Sequence, residues 1–207
     1  MKPLLGMLLL ALLAQCGNSS SQSEQPTDAP GDEITALPGE NYFSIRTPAG
    51  AYEAFFEGKD ISLFVPNSSL LGEDKGEKRK YYDPGGELVF EVKQSDDDKF
   101  KLRNPDGSLR WKVKIYDDKV KVADNEEMEP AYEVKVYEEG RVKLKMGDEE
   151  LAEWRPASLA AEYLPLNDSV GVTGLNADGR VRGVLLLNVL SPEEKLIIAA
   201  ELFARLK

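Results

Sequence analysis

Apolar and polar residues alternate along the middle of the chain, from Leu88 to Met146. An apolar residue at every second position is typical of a β-strand with one buried face. Segments rich in Pro, Gly, Asp and Asn interrupt the alternation, as at 83–86 and 104–107, and such residues favour tight turns. The pattern therefore predicts antiparallel hairpins. Their core-facing residues are predicted to be Leu88, Phe90, Val92, Phe100, Leu102, Leu109, Trp111, Val113, Ile115, Val120, Val122, Tyr132, Val134, Val136, Val142, Leu144 and Met146.

The alternating segments also repeat. An aromatic residue returns on the core face about every 21 residues, at Phe90, Trp111, Tyr132 and Trp154. Each unit is therefore expected to be a two-stranded hairpin with one aromatic side chain packed in the core. A meander of this length should curl or close to protect its edges. We predict a mainly β fold, an antiparallel meander that closes into a β-barrel.

The pattern is less regular on either side of the repeat. Residues 42–46, 52–56 and 61–65 predict three further strands, and residues 70–80 predict a charged loop. After the repeat, residues 169–190 predict a last hairpin, with strands at 169–175 and 181–190 around a turn at 176–179. The second strand is apolar on both faces, so we expect it to be fully buried.

A helix is predicted from Ser191 onward. Ser191 is a favourable N-cap, Pro192 suits the first helical position, and Glu194 completes a capping box. The rest of the helix is apolar except for a narrow stripe of Glu194, Glu201 and Arg205, and a helix that is apolar on nearly all sides is expected to be buried. We predict that it plugs the barrel. Its core residues are predicted to be Leu196, Ala199, Ala200 and Phe203.

A long meander followed by a buried C-terminal helix resembles the barrel with a central helix of tubby-like, scramblase-like and LURP-one-related domains. The resemblance covers residues 42–206 and depends on the turns at 83–88 and 104–109 and on the helix from Ser191. It carries over no catalytic or ligand-binding residue. Residues 81–88 are also similar to the hairpins of open MORN-type meanders, but those repeats contain more glycine, which favours the closed barrel.

The first 15 residues predict a signal peptide. Lys2 precedes an apolar run that ends at Ala14. The run is too short to cross a bilayer, which takes about 20 apolar residues, and its length is typical of a signal peptide.

Residues 13–16, Leu-Ala-Gln-Cys, resemble the lipobox of bacterial lipoproteins, in which a diacylglycerol is attached to the cysteine sulfur. Gln15 departs from that pattern, since the family prefers Gly, Ala or Ser there. Cys16 is the only cysteine of the chain, so no intramolecular disulfide can form and the single thiol lies at the expected acylation position. The alternatives are ordinary cleavage near Ala14 and an uncleaved anchor. We predict an exported protein of the bacterial cell envelope, anchored to the membrane through lipidated Cys16.

The composition predicts a tether followed by one domain. Residues 16–40 are rich in Ser, Gln, Pro and acidic residues and have little to bury, which indicates a disordered linker. Residues 41–207 are long enough to form a single domain with a proper core.

The net charge and the absence of histidine limit the partners and the catalytic mechanisms that this chain can have. A net charge of −11 argues against a nucleic-acid partner. The chain has no histidine, which excludes Ser–His and Cys–His nucleophiles and histidine metal ligands. No metal or cofactor site is predicted. A hydrolase that uses only carboxylates stays open, since many glycosidases use an Asp/Glu pair, but 37 acidic residues single out no pair.

The strand alternation gathers basic residues on the outward face of the repeat: Lys99, Lys101, Arg103, Arg110, Lys112, Lys114, Lys119, Lys121, Lys135, Arg141, Lys143 and Lys145. One interpretation is a solvated surface partly paired with Glu87, Glu91 and Glu133. The other is a docking face for an anionic envelope component such as lipid headgroups.

We expect Lys112, Lys114, Lys143 and Lys145 to contact the anionic partner. The predicted function is a non-enzymatic binding or scaffold module of the envelope. A purely structural lipoprotein without a ligand and a carboxylate-only hydrolase are the alternatives.

Overall fold

The computed structural model describes residues 41–47, 50–155 and 178–206. Cys16, the predicted tether and the predicted strand at 169–175 lie outside the described residues. Within these ranges the chain forms twelve antiparallel strands, followed by two α-helices. The strands are β1 Tyr42–Thr47, β2 Gly50–Glu57, β3 Asp60–Val65, β4 Ser68–Asp74, β5 Lys78–Tyr82, β6 Leu88–Asp96, β7 Lys99–Arg103, β8 Leu109–Ile115, β9 Lys119–Ala123, β10 Tyr132–Val136, β11 Val142–Met146 and β12 Glu149–Trp154. The helices are α1 Gly179–Val184, α2 Pro192–Arg205 and a short 3-10 helix, Glu138–Gly140.

The sheet is a continuous meander, because each strand pairs with its neighbours along the chain from β1 to β12. This confirms the predicted mainly β fold and its antiparallel order. Among the described strands, no backbone ladder joins β12 to β1, so hydrogen bonds do not close the sheet. Closure into a barrel therefore stays a prediction.

The inward face of the repeat forms a large part of the core. The buried residues of β6 to β11 are Val92, Phe100, Leu102, Trp111, Val113, Val120, Val122, Ala123, Val134, Val142 and Leu144. Phe90 and Tyr132 are only partly buried but pack against this core. The predicted alternation is therefore confirmed within the strands, where it places the lysines on the opposite face. It is wrong for Leu88, Leu109 and Met146, which lie at strand ends, are only partly buried and do not join this core.

Helix α2 supplies a further part of the core. It begins as predicted: the Glu194 amide donates to Ser191 Oγ at 3.2 Å, and the Ser191 amide donates to Glu194 Oε2 at 2.8 Å. All residues from 196 to 203 are buried, which confirms that the helix is covered on nearly all sides. The ring of Phe203 lies 5.2 Å from those of Phe43 and Phe56, joining the helix to the first two strands.

The predicted strand at 181–190 is wrong, since the chain there forms α1 and a series of turns. Asp178 caps α1 by accepting a hydrogen bond from the Arg180 amide at 2.8 Å. A short apolar run suits a buried helix as well as a buried strand, so periodicity did not separate the two. Gly183 lets α1 approach the sheet, because a Cβ there would lie 2.2 Å from Val134 Cγ1.

The predicted loop at 70–80 is also wrong, because it contains most of β4 and the start of β5. The inward positions of these strands carry the buried residues Leu70 and Tyr81, but other inward positions hold Gly72 and Arg79. Gly72 leaves room for the ring of Tyr81, and Arg79 points inward to Glu201 of α2. With glycine and a paired arginine at two inward positions, the apolar alternation of these strands is too short for the sequence to reveal.

Candidate anion-binding face

Lysines lie directly opposite one another on the outward face of the sheet. The strand register aligns them in three rows, which run Lys78, Lys93, Lys101 and Lys112; Lys99, Lys114 and Lys121; and Lys119, Lys135 and Lys143. Like charges at opposite positions of an antiparallel pair destabilise the sheet. Anions among the lysines, supplied by the chain itself or by a partner, therefore stabilise this face.

The chain supplies some of these anions. Glu133 lies 2.9 Å from Lys119 Nζ and 3.9 Å from Lys121 Nζ, and Glu150 lies 2.6 Å from Lys143 Nζ. Glu91 pairs with Lys78 at 2.7 Å. Pairing by Glu91 and Glu133 agrees with the solvated-surface interpretation for this part of the face.

Glu126 is the acidic partner with the most contacts to this face. It belongs to the loop between β9 and β10, and its two carboxylate oxygens bind different lysines: Oε1 lies 2.6 Å from Lys101 Nζ and Oε2 lies 3.3 Å from Lys112 Nζ. Lys112 Nζ also donates to the Glu126 backbone carbonyl at 2.5 Å. The hydrogen bond from Lys101, together with Lys112, lowers the pKa of the Glu126 carboxyl below its ordinary value. Glu126 is therefore ionised at neutral pH.

The Glu126 loop folds over the lysines and creates a groove. The groove has a volume of about 530 Å³, with lysines of β7, β8 and β9 on one side and residues 126–129 on the other. The loop is closed on itself by Asn125, whose side chain accepts from the Glu129 amide at 3.1 Å and donates to the Glu129 carbonyl at 3.3 Å. Met128 has a φ of 60°, a left-handed conformation that is uncommon outside glycine.

Lys114 differs from its neighbours in the groove. Its Nζ lies 5.1 Å from the centre of the Tyr116 ring, a cation–π distance. In the described part of the chain, no ion pair reaches Lys114 or Lys145. Lys114 lies opposite Lys99 and Lys121 in the sheet. It thus has a lysine on both neighbouring strands, although Lys99 pairs with Asp96 and Lys121 lies 3.9 Å from Glu133.

The structure separates the four residues predicted to contact an anion. Lys112 and Lys114 line the groove, whereas Lys143 and Lys145 lie on β11 and do not line it. Arg110, expected with the outward lysines, instead pairs with Glu194 of α2. The acidic loop that shapes the groove was missed, although its run of Asp124, Glu126, Glu127 and Glu129 between basic strands was a visible signal.

The carboxylates buried in the described core belong to ion pairs. Glu201 accepts from Arg79 Nη1 at 2.5 Å and from the Tyr81 hydroxyl at 2.8 Å, and it also pairs with Arg205. Burial, and next the Glu201 carboxylate, raises the pKa of Tyr81 well above its ordinary value. Glu194 pairs separately with Arg110. These two carboxylates serve to fix α2 against the sheet.

Within the described ranges, no cluster of three acidic or cysteine side chains has the geometry to hold a metal ion. None of the helices in those ranges is long and apolar enough to span a membrane. Comparisons of the chain with protein-family models, curated proteins and solved structures gave no match.

Proposed function

We propose that the chain is a non-enzymatic binding or scaffold module of the bacterial cell envelope, held at a membrane by acylated Cys16. Its basic sheet face contacts anionic lipid headgroups. The observation that supports the proposal is the alignment of lysines in cross-strand rows on one face of a protein with a net charge of −11. Such an arrangement costs stability in isolation and is favourable against an anionic surface.

The predicted tether keeps this face near the membrane. A flexible linker of the length of residues 16–40 spans roughly 25–30 Å on average, so an anchored domain stays within reach of the surface. Each lysine or arginine near an anionic membrane contributes about 1 kcal/mol. Weak contacts of this kind are sufficient because the anchor raises the local concentration of the domain at the membrane surface.

The acidic charge of the rest of the chain does not prevent such contact. Electrostatic interactions in physiological salt are screened beyond about 8 Å. The attraction to the membrane therefore depends mainly on the charges of the protein face that lies against it. The same screening makes the proposed contact sensitive to salt.

Vesicle binding tests the proposal. The full chain carrying Cys16→Ala is mixed with vesicles of phosphatidylcholine, with or without phosphatidylglycerol, at low and high salt. Binding to the anionic vesicles in excess of binding to the neutral ones isolates the electrostatic part, because apolar insertion contributes to both. We expect this excess at low salt, and at least about a tenfold loss of it in the Lys112→Glu/Lys114→Glu double variant.

The control variant carries Lys59→Glu and Lys75→Glu, which change the net charge equally. Both are exposed, with 84% and 50% of their side chains accessible, and they lie at turns outside the lysine rows. The control should keep most of the excess binding. No excess binding of the parent chain, or equal loss in both double variants, would contradict the proposal and favour a purely structural lipoprotein.

A further inference from the structure

The groove under the Glu126 loop concentrates positive charge on three adjacent strands. Its lysines are Lys99, Lys101, Lys112, Lys114 and Lys121. Lys101 lies opposite Lys112, and Lys114 lies opposite both Lys99 and Lys121. Strand carboxylates reach two of these lysines, since Lys99 pairs with Asp96 and Lys121 lies 3.9 Å from Glu133. Among the described residues, no strand carboxylate pairs with Lys101, Lys112 or Lys114, so repulsion between these lysines is not relieved by the strands.

The carboxylate of Glu126 occupies this groove as an anionic ligand would. One oxygen binds Lys101 and the other binds Lys112, so the carboxylate bridges two ammonium groups from neighbouring strands. Arg103 Nη2 lies 4.0 Å from the same carboxylate. A phosphate group offers the same bridging oxygens with more charge, and lysines are common phosphate ligands in proteins.

Glu126 leaves binding capacity in the groove unused. In the described part of the chain, Lys114 takes part in no ion pair, and its Nζ lies beside the Tyr116 ring that also lines the groove. A volume of about 530 Å³ is within the range of small-molecule sites. A larger anion than a carboxylate can therefore engage Lys101, Lys112 and Lys114 together.

We infer that the groove is a binding site for a phosphate group and that Glu126 is an internal competitor, displaced when the phosphate binds. The inference rests on the proposed function, since the groove is part of the same basic face. The phosphate belongs either to a lipid headgroup or to a soluble phosphorylated molecule. Both sources present the same oxyanion to the lysines.

The energetics permit displacement. The side chain of Glu126 is 47% exposed, and ion pairs at this exposure contribute little to stability. The loop is tied to itself through Asn125 and Glu129, so it can move away as a unit without breaking those bonds. This movement breaks the hydrogen bond from Lys112 Nζ to the Glu126 backbone carbonyl, returns the carboxylate to water and leaves Lys101 and Lys112 free for the ligand.

Calorimetric titration with pyrophosphate tests the inference. The full Cys16→Ala chain is used in neutral detergent at low salt. We expect Glu126→Gln to tighten pyrophosphate binding about fivefold, since the competing ion pair is removed. Lys101→Gln/Lys112→Gln should weaken it at least tenfold. If the groove is the binding site, removing the acidic side chain therefore strengthens pyrophosphate binding, and removing the neighbouring lysines weakens it.

Glu150→Gln is the matched control. It removes the same charge and frees Lys143, which lies outside the groove. The control should change pyrophosphate affinity by less than about twofold, because the removed carboxylate is remote from the site. Equal tightening by Glu126→Gln and Glu150→Gln would show an effect of net charge alone and would overturn the inference, as would lysine variants that bind like the parent. Melting curves verify that each variant is folded.

Anionic vesicles form the second arm and separate this inference from the proposed function. If Glu126→Gln strengthens binding of both pyrophosphate and phosphatidylglycerol vesicles, the phosphate is that of a headgroup. Tighter pyrophosphate binding without any vesicle binding supports the groove with a soluble ligand and overturns the membrane contact. Vesicle binding together with pyrophosphate binding that is unchanged in Glu126→Gln and in Lys101→Gln/Lys112→Gln overturns the groove and leaves the membrane contact to other lysines of the face.

Discussion

Arg79 Nη1 donates to Glu201 Oε1 at 2.5 Å, which joins the inward face of β5 to helix α2. The arginine is mostly buried, with 16% of its side chain exposed, and the glutamate is almost completely buried. The Tyr81 hydroxyl donates to the same oxygen. Together with the Arg110–Glu194 pair, this pair therefore fixes the position of the helix along a largely apolar interface.

Replacing Arg79 by alanine should destabilise the protein strongly. Loss of a hydrogen bond to a charged group typically costs about 1.5–3 kcal/mol, and Glu201 keeps its pair with Arg205 and the hydrogen bond from Tyr81. Lys80→Ala is the control, since Lys80 lies on the opposite face of the same strand, and it should cost less than about 1 kcal/mol. Urea unfolding measures both. Similar losses in the two variants would show that the Arg79–Glu201 pair contributes no more than a surface charge.

Phe203→Ala tests whether α2 belongs to the core. A buried Phe→Ala change costs about 3–5 kcal/mol, and Phe203 contacts two aromatic rings of the first strands. Phe64→Ala is the matched control, because Phe64 is 44% exposed, and it should cost clearly less.

Deletion of residues 192–207 should abolish cooperative thermal unfolding. A truncated chain that melts like the parent would show that the helix is an appendage.

Gly183→Ala tests the close approach of α1 to the sheet. Alanine favours a helix over glycine by about 1 kcal/mol, but its Cβ would lie 2.2 Å from Val134 Cγ1. Overpacking typically costs about 1–3 kcal/mol, so we expect a net loss of stability. Adding Val134→Ala should make the Gly183→Ala change less costly than it is in the parent. A double-mutant cycle of unfolding free energies measures this coupling, and additive effects would contradict the contact.

Metabolic labelling with a fatty acid tests the predicted anchor. The unchanged chain should incorporate the label, and Cys16→Ala should not, since Cys16 is the only cysteine of the chain. Gln15→Gly serves as a positive control, because it brings residues 13–16 closer to the lipobox pattern. Labelling that persists in Cys16→Ala would rule out acylation at this thiol.

The titration of Glu126 tests its contact with the lysines. Its pKa in the folded protein is lowered, so the contact stabilises the fold above the ordinary glutamate pKa and is lost as the pH falls through the folded value. Carboxyl carbon shifts in NMR follow this titration. Lys101→Gln should raise the pKa of Glu126 toward its ordinary value, whereas Lys143→Gln should leave it unchanged. An equal pKa of Glu126 in the parent and in Lys101→Gln would contradict the contact.

The sequence predicts the regular parts of this fold well. The alternation from Leu88 to Met146 places the core and the lysines on opposite faces, and Ser191 and Glu194 mark the start of α2. These elements follow local rules of strand pattern and helix capping. Their positions do not depend on distant residues.

The elements that were missed depend on distant partners. Arg79 occupies a core position because Glu201 arrives from a helix far along the chain. The side chain of Arg110 likewise finds Glu194. Lys112 and Lys114 were placed correctly on the outward face, but the groove needs the fold of an irregular loop, and a run of acidic residues alone does not specify that fold.

The order of elements along the chain sets when the protein can complete its core. Each strand after β1 pairs with the strand before it in the chain. The hairpins can therefore form one after another as the chain emerges, because each pairing closes only a short loop. Helix α2, however, follows all twelve strands and covers the inward face of the first ones through Phe203, Phe43 and Phe56. A nascent chain that lacks α2 exposes this apolar face, which delays stable folding until synthesis has passed residue 205. For a chain predicted to leave the cytoplasm, such a delay lets the unfolded chain pass through an export channel before the domain folds stably.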